Sequence, residues 1–251
     1  MASKRRPAAQ LKPRATGESA RPKPSRQRTA KILDVLESAH PEAKCALHHR
    51  GPFQLTVATI LSAQCTDERV NQVTPALFRR FPTPSALAAA AAGDLELLIR
   101  PTGFFRSKAR SLIGCAQALV ERHGGRVPKS QEAMTKLPGV GRKTANVVLG
   151  HAFGLAQGIA VDTHVRRVST RLGLAQGATP EQIEVELMAL IPRERWTRTS
   201  DLLIFHGRKV CGSRRPFCGE CPVFHLCRWE PRQAHAVPAP SRGSRSRPGP
   251  P

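Results

Sequence analysis

The 251-residue sequence predicts an all-α fold, and three observations predict it. Apolar residues recur at three- and four-residue spacing through the middle of the chain. Strand signals are nearly absent, with no Tyr and only short β-branched runs. Helix stop and start signals fall between the periodic stretches. Gly124-Gly125 closes the longest of them, and Thr179-Pro180-Glu181 opens another as an N-cap followed by Pro.

Taken in order, residues 29–39 put Ile32, Leu33, Leu36 and Ala39 on one face. Residues 53–63 read as a buried helix with Phe53, Leu55, Val57, Ile60 and Leu61. Helices are expected at 68–80, 84–92, 94–100 and 107–122, the run Ala88 to Ala92 having strong helix propensity. Residues 144–153, 163–173, 179–190 and 194–208 complete the set. No internal repeat stands out.

Charge narrows the function classes. The chain carries 40 Lys+Arg against 18 Asp+Glu, a net charge of +22. Such an excess suits a protein that meets a polyanion. Residues 1–31 hold ten basic side chains against Glu18, and residues 228–251 hold five Arg against Glu230. Both ends are rich in Pro, Ser, Gly and Ala and are expected to be disordered. The remaining 196 residues keep a charge of +9, so the basic partner surface does not depend on the tails. No apolar run of about 18 residues predicts a membrane span. No secretory signal is apparent, and Pro7, Pro13, Pro22 and Pro24 interrupt any amphipathic transit helix. Bacterial cytoplasm, in association with the nucleoid, is the expected compartment.

Residues 137–145 read Leu-Pro-Gly-Val-Gly-Arg-Lys-Thr-Ala. Gly139 and Gly141 allow a tight turn with uncovered backbone N–H groups, and the following helix start favours an anion. This is the chemistry of a helix–hairpin–helix that grips a DNA phosphate without reading bases. An ordinary helix connection would also use these glycines. Arg142 and Lys143 strengthen the phosphate reading. Lys143 could equally serve as an amine nucleophile that forms a Schiff base. Asp162, in Ile-Ala-Val-Asp-Thr-His-Val, fits a helix N-cap and fits a carboxylate that assists proton transfer. His164 is a structural or phosphate-contacting histidine as readily as a catalytic one.

Of seven cysteines, Cys45, Cys65 and Cys115 are isolated and read as free thiols. Cys211, Cys218, Cys221 and Cys227 are spaced C-x6-C-x2-C-x5-C and read as a metal site. Zinc usually takes two separated pairs; one compact loop with a single C-x2-C leans toward a [4Fe–4S] cube. Arg214 and Arg215 lie in the first interval, where a fixed loop would suit them to a phosphate and where they are otherwise simply solvated.

Together these segments resemble the endonuclease III family of helix-hairpin-helix DNA glycosylase/AP lyases. The resemblance runs over roughly residues 30–229. It rests on Leu61 to Asp67, Thr102 to Ala109, Leu137 to Val148, Val161 to His164, His206 to Arg208 and the cysteine loop. It implies two α-helical domains with double-stranded DNA across the cleft between them. One would comprise residues 30–52 and 155–229 with a C-terminal iron–sulfur cluster loop. The other would comprise 53–154 with the hairpin, leaving 1–29 and 230–251 as tails. It implies a monomeric base excision repair enzyme that flips out oxidised pyrimidines, excises them and nicks the strand. Lys143 would be the nucleophile, Asp162 the catalytic carboxylate, and the four cysteines the [4Fe–4S] ligands. Gln64 would fill the gap left by the flipped base. Phe104 stands where the family often has an aliphatic wedge, and an aromatic ring can serve there too. A MutY-type adenine glycosylase shares the fold and the cysteine spacing but lacks the hairpin lysine. A non-catalytic DNA-binding module with a structural metal would share everything except a use for the Lys143/Asp162 pair.

Overall fold

A computed structural model describes residues 24–236. Every regular element among them is helical. The α-helices are α1 (Arg26–Ala39), α2 (Pro52–Leu61), α3 (Asp67–Arg80), α4 (Pro84–Ala88), α5 (Ala92–Ile99) and α6 (Phe105–His123). They continue with α7 (Gln131–Thr135), α8 (Arg142–Phe153), α9 (Thr163–Leu172), α10 (Pro180–Leu190) and α11 (Trp196–Lys209). Short 3-10 turns punctuate the chain, including Arg100–Thr102 before α6, Cys218–Glu220 and Phe224–Leu226 in the cysteine segment, and Glu230–His235 after it.

Caps explain many of the boundaries. Ser25, Thr66, Thr83, Ser130 and Thr179 each accept a first-turn backbone N–H. Gly124, Gly154 and Gly173 end α6, α8 and α9 in the left-handed conformation. Two separate cores form. The first packs α2 to α8 around Leu55, Leu77, Leu112, Leu119 and Leu149, all fully buried. The second packs α1 with α9, α10 and α11 around Ile32, Leu36, Val165, Leu187 and Leu203. Each such buried Leu or Ile contributes about 2 kcal/mol of transfer free energy.

The cores meet where α8 crosses α11. Gly150 makes that approach possible: a Cβ there would lie 2.5 Å from Thr197 Oγ1. Across the same seam, buried Glu184 on α10 accepts from Asn146 Nδ2 on α8 at 2.7 Å. His151 Nε2 on α8 faces Asp201 Oδ1 on α11 at 3.2 Å.

Three expectations need correction. The helix expected at 84–92 stops at Ala88 and restarts at Ala92: Ala91 is extended, and the break lets Leu87 and Leu95 both enter the core. Residues 24–29, expected in the N-terminal tail, are ordered. Arg28 donates to the Leu226 carbonyl at 2.6 Å, and Thr29 is buried. Residues 230–236, expected in the C-terminal tail, fold back on the cysteine segment. Trp229 stacks on His235, and Arg232 lies over Phe224. The remainder of both tails lies outside the described residues.

Candidate active site

The hairpin is built by its buried flanks. Leu137 and Val140 are in the core, and Val140 N donates to the Leu137 carbonyl at 3.1 Å, which closes the turn. Gly139 has φ +76, and a Cβ there would lie 2.7 Å from Ser111 Cβ on α6. Both the backbone and the space therefore require glycine. Gly141 is the N-cap of α8, offers no side chain to the first-turn N–H groups, and faces open space. The start of α8 is thus an uncapped helix N-terminus suited to an anion.

Lys143 is exposed in that first turn. Asp162 caps α9: its Oδ1 accepts from His164 N and Val165 N, both at 2.8 Å. The two residues come from different parts of the chain yet line one open groove together with Gln64, His164 and Arg208. They also line a second cleft that runs between the two cores toward His151 and Asp201. Arg208 Nη2 meets Asp67 Oδ2 at 2.7 Å and ties α11 to the start of α3 beside both openings.

His164 is half-buried, with Nδ1 3.1 Å from Arg167 Nη2. Burial lowers its pKa, with Asp162 acting in the opposite sense. Gly207 on α11 makes room for it, since a Cβ there would lie 3.0 Å from His164 Cβ.

Gln64 and Phe104 share a property that their sequence contexts do not announce. Among the described residues they are the two non-glycine positions with positive φ, at 53° and 48°. Phe104 is also 66% exposed. The left-handed conformation costs about 1 kcal/mol for such residues.

Arg142 differs from expectation. Its guanidinium turns to the buried carboxylate of Glu184 instead of standing free at the hairpin, because that carboxylate needs a cation. Arg214 and Arg215 are exposed on the turn after Cys211 and do not line the groove that holds Lys143.

The four clustered cysteines line one small cavity. Burial, reinforced by the neighbouring thiols, pushes Cys221 up to about 12, and it raises Cys218 and Cys227 as well. Arg171 Nη1 approaches Cys211 Sγ at 3.4 Å while its guanidinium lies 4.1 Å from the Trp229 ring centre. Thiols so crowded become thiolates together only against positive charge held between them. The donor set therefore fits a metal centre. Among the described residues no group of three or more His, Cys, Asp or Glu closes around a single ion, so the thiols share a cavity rather than one point.

The sequence assigns no role to Glu184, Lys108, Arg171 or the Arg208–Asp67 pair, although Asp67, Lys108 and Arg208 lie in the segments that carry the resemblance. Each is a charged residue in a helical pattern, where exposure is the default expectation. Their partners lie 42, 47, 41 and 141 residues away.

Comparison with known proteins gives one consistent result. Residues 57–193 match the family model described as HhH-GPD superfamily base excision DNA repair protein. A protein named endonuclease III from Synechocystis is 54% identical over 202 residues, covering 80% of this chain and 92% of the relative. Endonuclease III of Bacillus subtilis is 45% identical, covering 78% and 90%. Among solved structures, a non-covalent endonuclease III–DNA complex matches with TM-score 0.79 at 43% identity, covering 84% of this chain and 99% of that one. A trapped endonuclease III–DNA covalent intermediate matches with TM-score 0.80 at 43% identity over the same shares.

Proposed function

The chain belongs to the HhH-GPD superfamily of base excision DNA repair proteins and within it is an endonuclease III-type DNA glycosylase/AP lyase, and on that premise we propose that Lys143 and Asp162 carry its chemistry. The observation that supports this assignment is their meeting in one groove, with the uncapped start of α8 beside them.

The substrate is double-stranded DNA carrying an oxidised pyrimidine or an abasic site. In our reading the duplex lies across the seam between the two cores. The hairpin N–H groups at Gly139 and Gly141 hold a phosphate near the damaged nucleotide. The nucleotide turns out of the stack into the cleft, and Gln64 and Phe104 occupy the space it leaves. Lys143 Nζ attacks the sugar C1′, and the bond from C1′ to the base breaks, the base leaving with a proton. Asp162 takes up the proton that Lys143 gives up and passes it to O4′ as the C1′–O4′ bond opens, and the restored carboxylate then faces the positive charge left on C1′. The iminium that forms makes the C2′ proton acidic. Its loss expels the 3′ phosphate by β-elimination, and water then hydrolyses the iminium and frees Lys143.

Cys211, Cys218, Cys221 and Cys227 would hold a [4Fe–4S] cluster. Bound there, it would fix the loop bearing Arg214 and Arg215 and would supply no hydrolytic chemistry. Those two arginines then meet a phosphate away from the reacting sugar. Arg142 acts by bracing the first turn of α8 through Glu184. The basic tails add non-specific attraction to DNA, consistent with a place on the bacterial nucleoid.

Borohydride trapping tests the assignment. With a duplex bearing one thymine glycol, wild type should give a covalent protein–DNA band on a denaturing gel and Lys143→Ala should give none. A band of equal strength from Lys143→Ala would overturn the role given to Lys143.

A further inference from the structure

Two turns meet over one buried ammonium. Helix α2 ends at Leu61 and reaches Gln64 three residues later. The 3-10 turn Arg100–Thr102 reaches Phe104 two residues later. Lys108, near the start of α6, is only 5% exposed. Its Nζ donates to the Leu61 carbonyl and to the Thr102 carbonyl, each at 2.8 Å. Its backbone N–H donates to the Phe104 carbonyl at 3.1 Å, and Ser107 Oγ donates to the same oxygen at 2.9 Å. One residue thus anchors both segments that carry the left-handed side chains.

An apolar residue would fill this volume without the cost of desolvating a charge. Burial does lower the pKa of Lys108, with Cys65 acting the other way. What an apolar residue could not do is hold carbonyls from two separate turns at one point. Phe104, the N-cap of α6, makes no side-chain cap bond, and the Gln64 turn is closed only within itself, by Cys65 N to the Ser62 carbonyl at 3.1 Å, so neither turn fixes the other. Their relative placement needs an outside tie.

We propose that Lys108 is a positioning residue that locks the Gln64 turn to the Phe104 turn, so that both side chains enter the duplex in register when a damaged nucleotide is extruded. This rests on the reading of Gln64 and Phe104 as the gap-filling pair. The duplex substrate has a gap to fill, and an abasic site in an isolated single strand has none. A defect in register therefore harms the first reaction more than the second.

The test compares strand cleavage at one abasic site in duplex and in single-stranded form, using full-length protein. For Lys108→Gln the ratio of duplex to single-strand rates should fall about tenfold, the scale of a small misplacement of contacting groups. A merely structural role would lower both rates together and leave the ratio fixed, which would overturn the proposal. Gly103→Ala serves if Lys108→Gln does not fold. Gly103 has φ +70 and nothing within 4 Å of an added Cβ, so alanine disturbs only the turn that carries Phe104. Its ratio should fall likewise, and an unchanged ratio would count against the proposal. Gln64→Ala and Phe104→Ala separate the two levels of the argument. If these lower the ratio and Lys108→Gln does not, the lock is wrong. If neither lowers it, the gap-filling reading fails and the lock with it.

Discussion

Glu184 Oε1 accepts from Asn146 Nδ2 at 2.7 Å, and this bond joins a helix of one core to a helix of the other. The other carboxylate oxygen receives Arg142, the residue next to Lys143. Gln131 donates to the Asn146 side chain, which extends the network to α7. A single buried carboxylate therefore fixes the first turn of α8 against α10, and that turn sets where Lys143 stands. Glu184→Gln should lower unfolding free energy by about 2 kcal/mol, because Arg142 loses its counter-charge and the network must be rearranged. Denaturant melts of the two proteins would check this. A change below about 0.5 kcal/mol would mean that Arg142 is content in solvent.

Asp162 caps α9 and in the proposed mechanism also takes up a proton, and one substitution can separate the two. Asn caps helices as well as Asp, so Asp162→Asn should preserve the bonds to His164 N and Val165 N and change stability little. It cannot take up a proton as a carboxylate does. Base release should slow on the order of a hundredfold at an unchanged melting temperature. Parallel loss of stability and rate would show that capping is its whole contribution.

Much of this was readable in advance, for identifiable reasons. Leu33 and Leu36, or Val165 and Val168, repeat at helical spacing because each helix has one buried face. The four cysteines fall within one short segment, so local spacing alone marks their cavity. In the sequence Arg142 has the context of a phosphate contact, because its partner is 42 residues away and nothing local reveals it. Lys108 sits in Phe-Phe-Arg-Ser-Lys-Ala-Arg, where a charged residue reads as solvated, and its burial depends on two carbonyls from other turns. Residues 230–236 look like a low-complexity tail because their packing uses stacking on Trp229 and Phe224, not an apolar period.

Glu37 offers a pH-dependent probe of how α1 is fastened. Arg198 donates to its two carboxylate oxygens at 2.9 and 3.0 Å, and hydrogen bonding from Arg198 holds the Glu37 pKa below its ordinary value. The folded protein thus binds that proton less readily than the unfolded chain does. The stabilisation is present above the ordinary glutamate range and is lost as pH falls through the lowered folded value. The pair is half-exposed, so Glu37→Gln should cost less than about 1 kcal/mol at neutral pH, and wild type and variant should converge in strong acid. A gap that persists unchanged on acidification would point to packing instead of charge.

Cys218 exposes less than a tenth of its surface. In the proposed cluster, Cys218→Ser would replace a thiolate donor by a hydroxyl that holds iron poorly. The variant should lose iron and the broad blue-region absorption of a [4Fe–4S] protein, and the loop between Cys211 and Cys218 should become susceptible to protease. Stoichiometric zinc without iron in anaerobically purified wild type would replace the cluster assignment with a zinc site.

Removing residues 1–23 leaves Ser25 and its cap on α1 in place, so the fold should be unaffected. The removed segment carries seven Lys or Arg against Glu18. If these cations neutralise phosphates, each contact adds about 0.9 to the slope of log affinity against log salt. The truncated protein should therefore bind undamaged duplex more weakly at low salt and show a shallower slope. The described surface keeps its own basic residues, so binding should weaken without being abolished. An identical slope for the two proteins would mean that the segment does not touch DNA, and the charge that brings the enzyme to DNA would then lie on the folded surface itself.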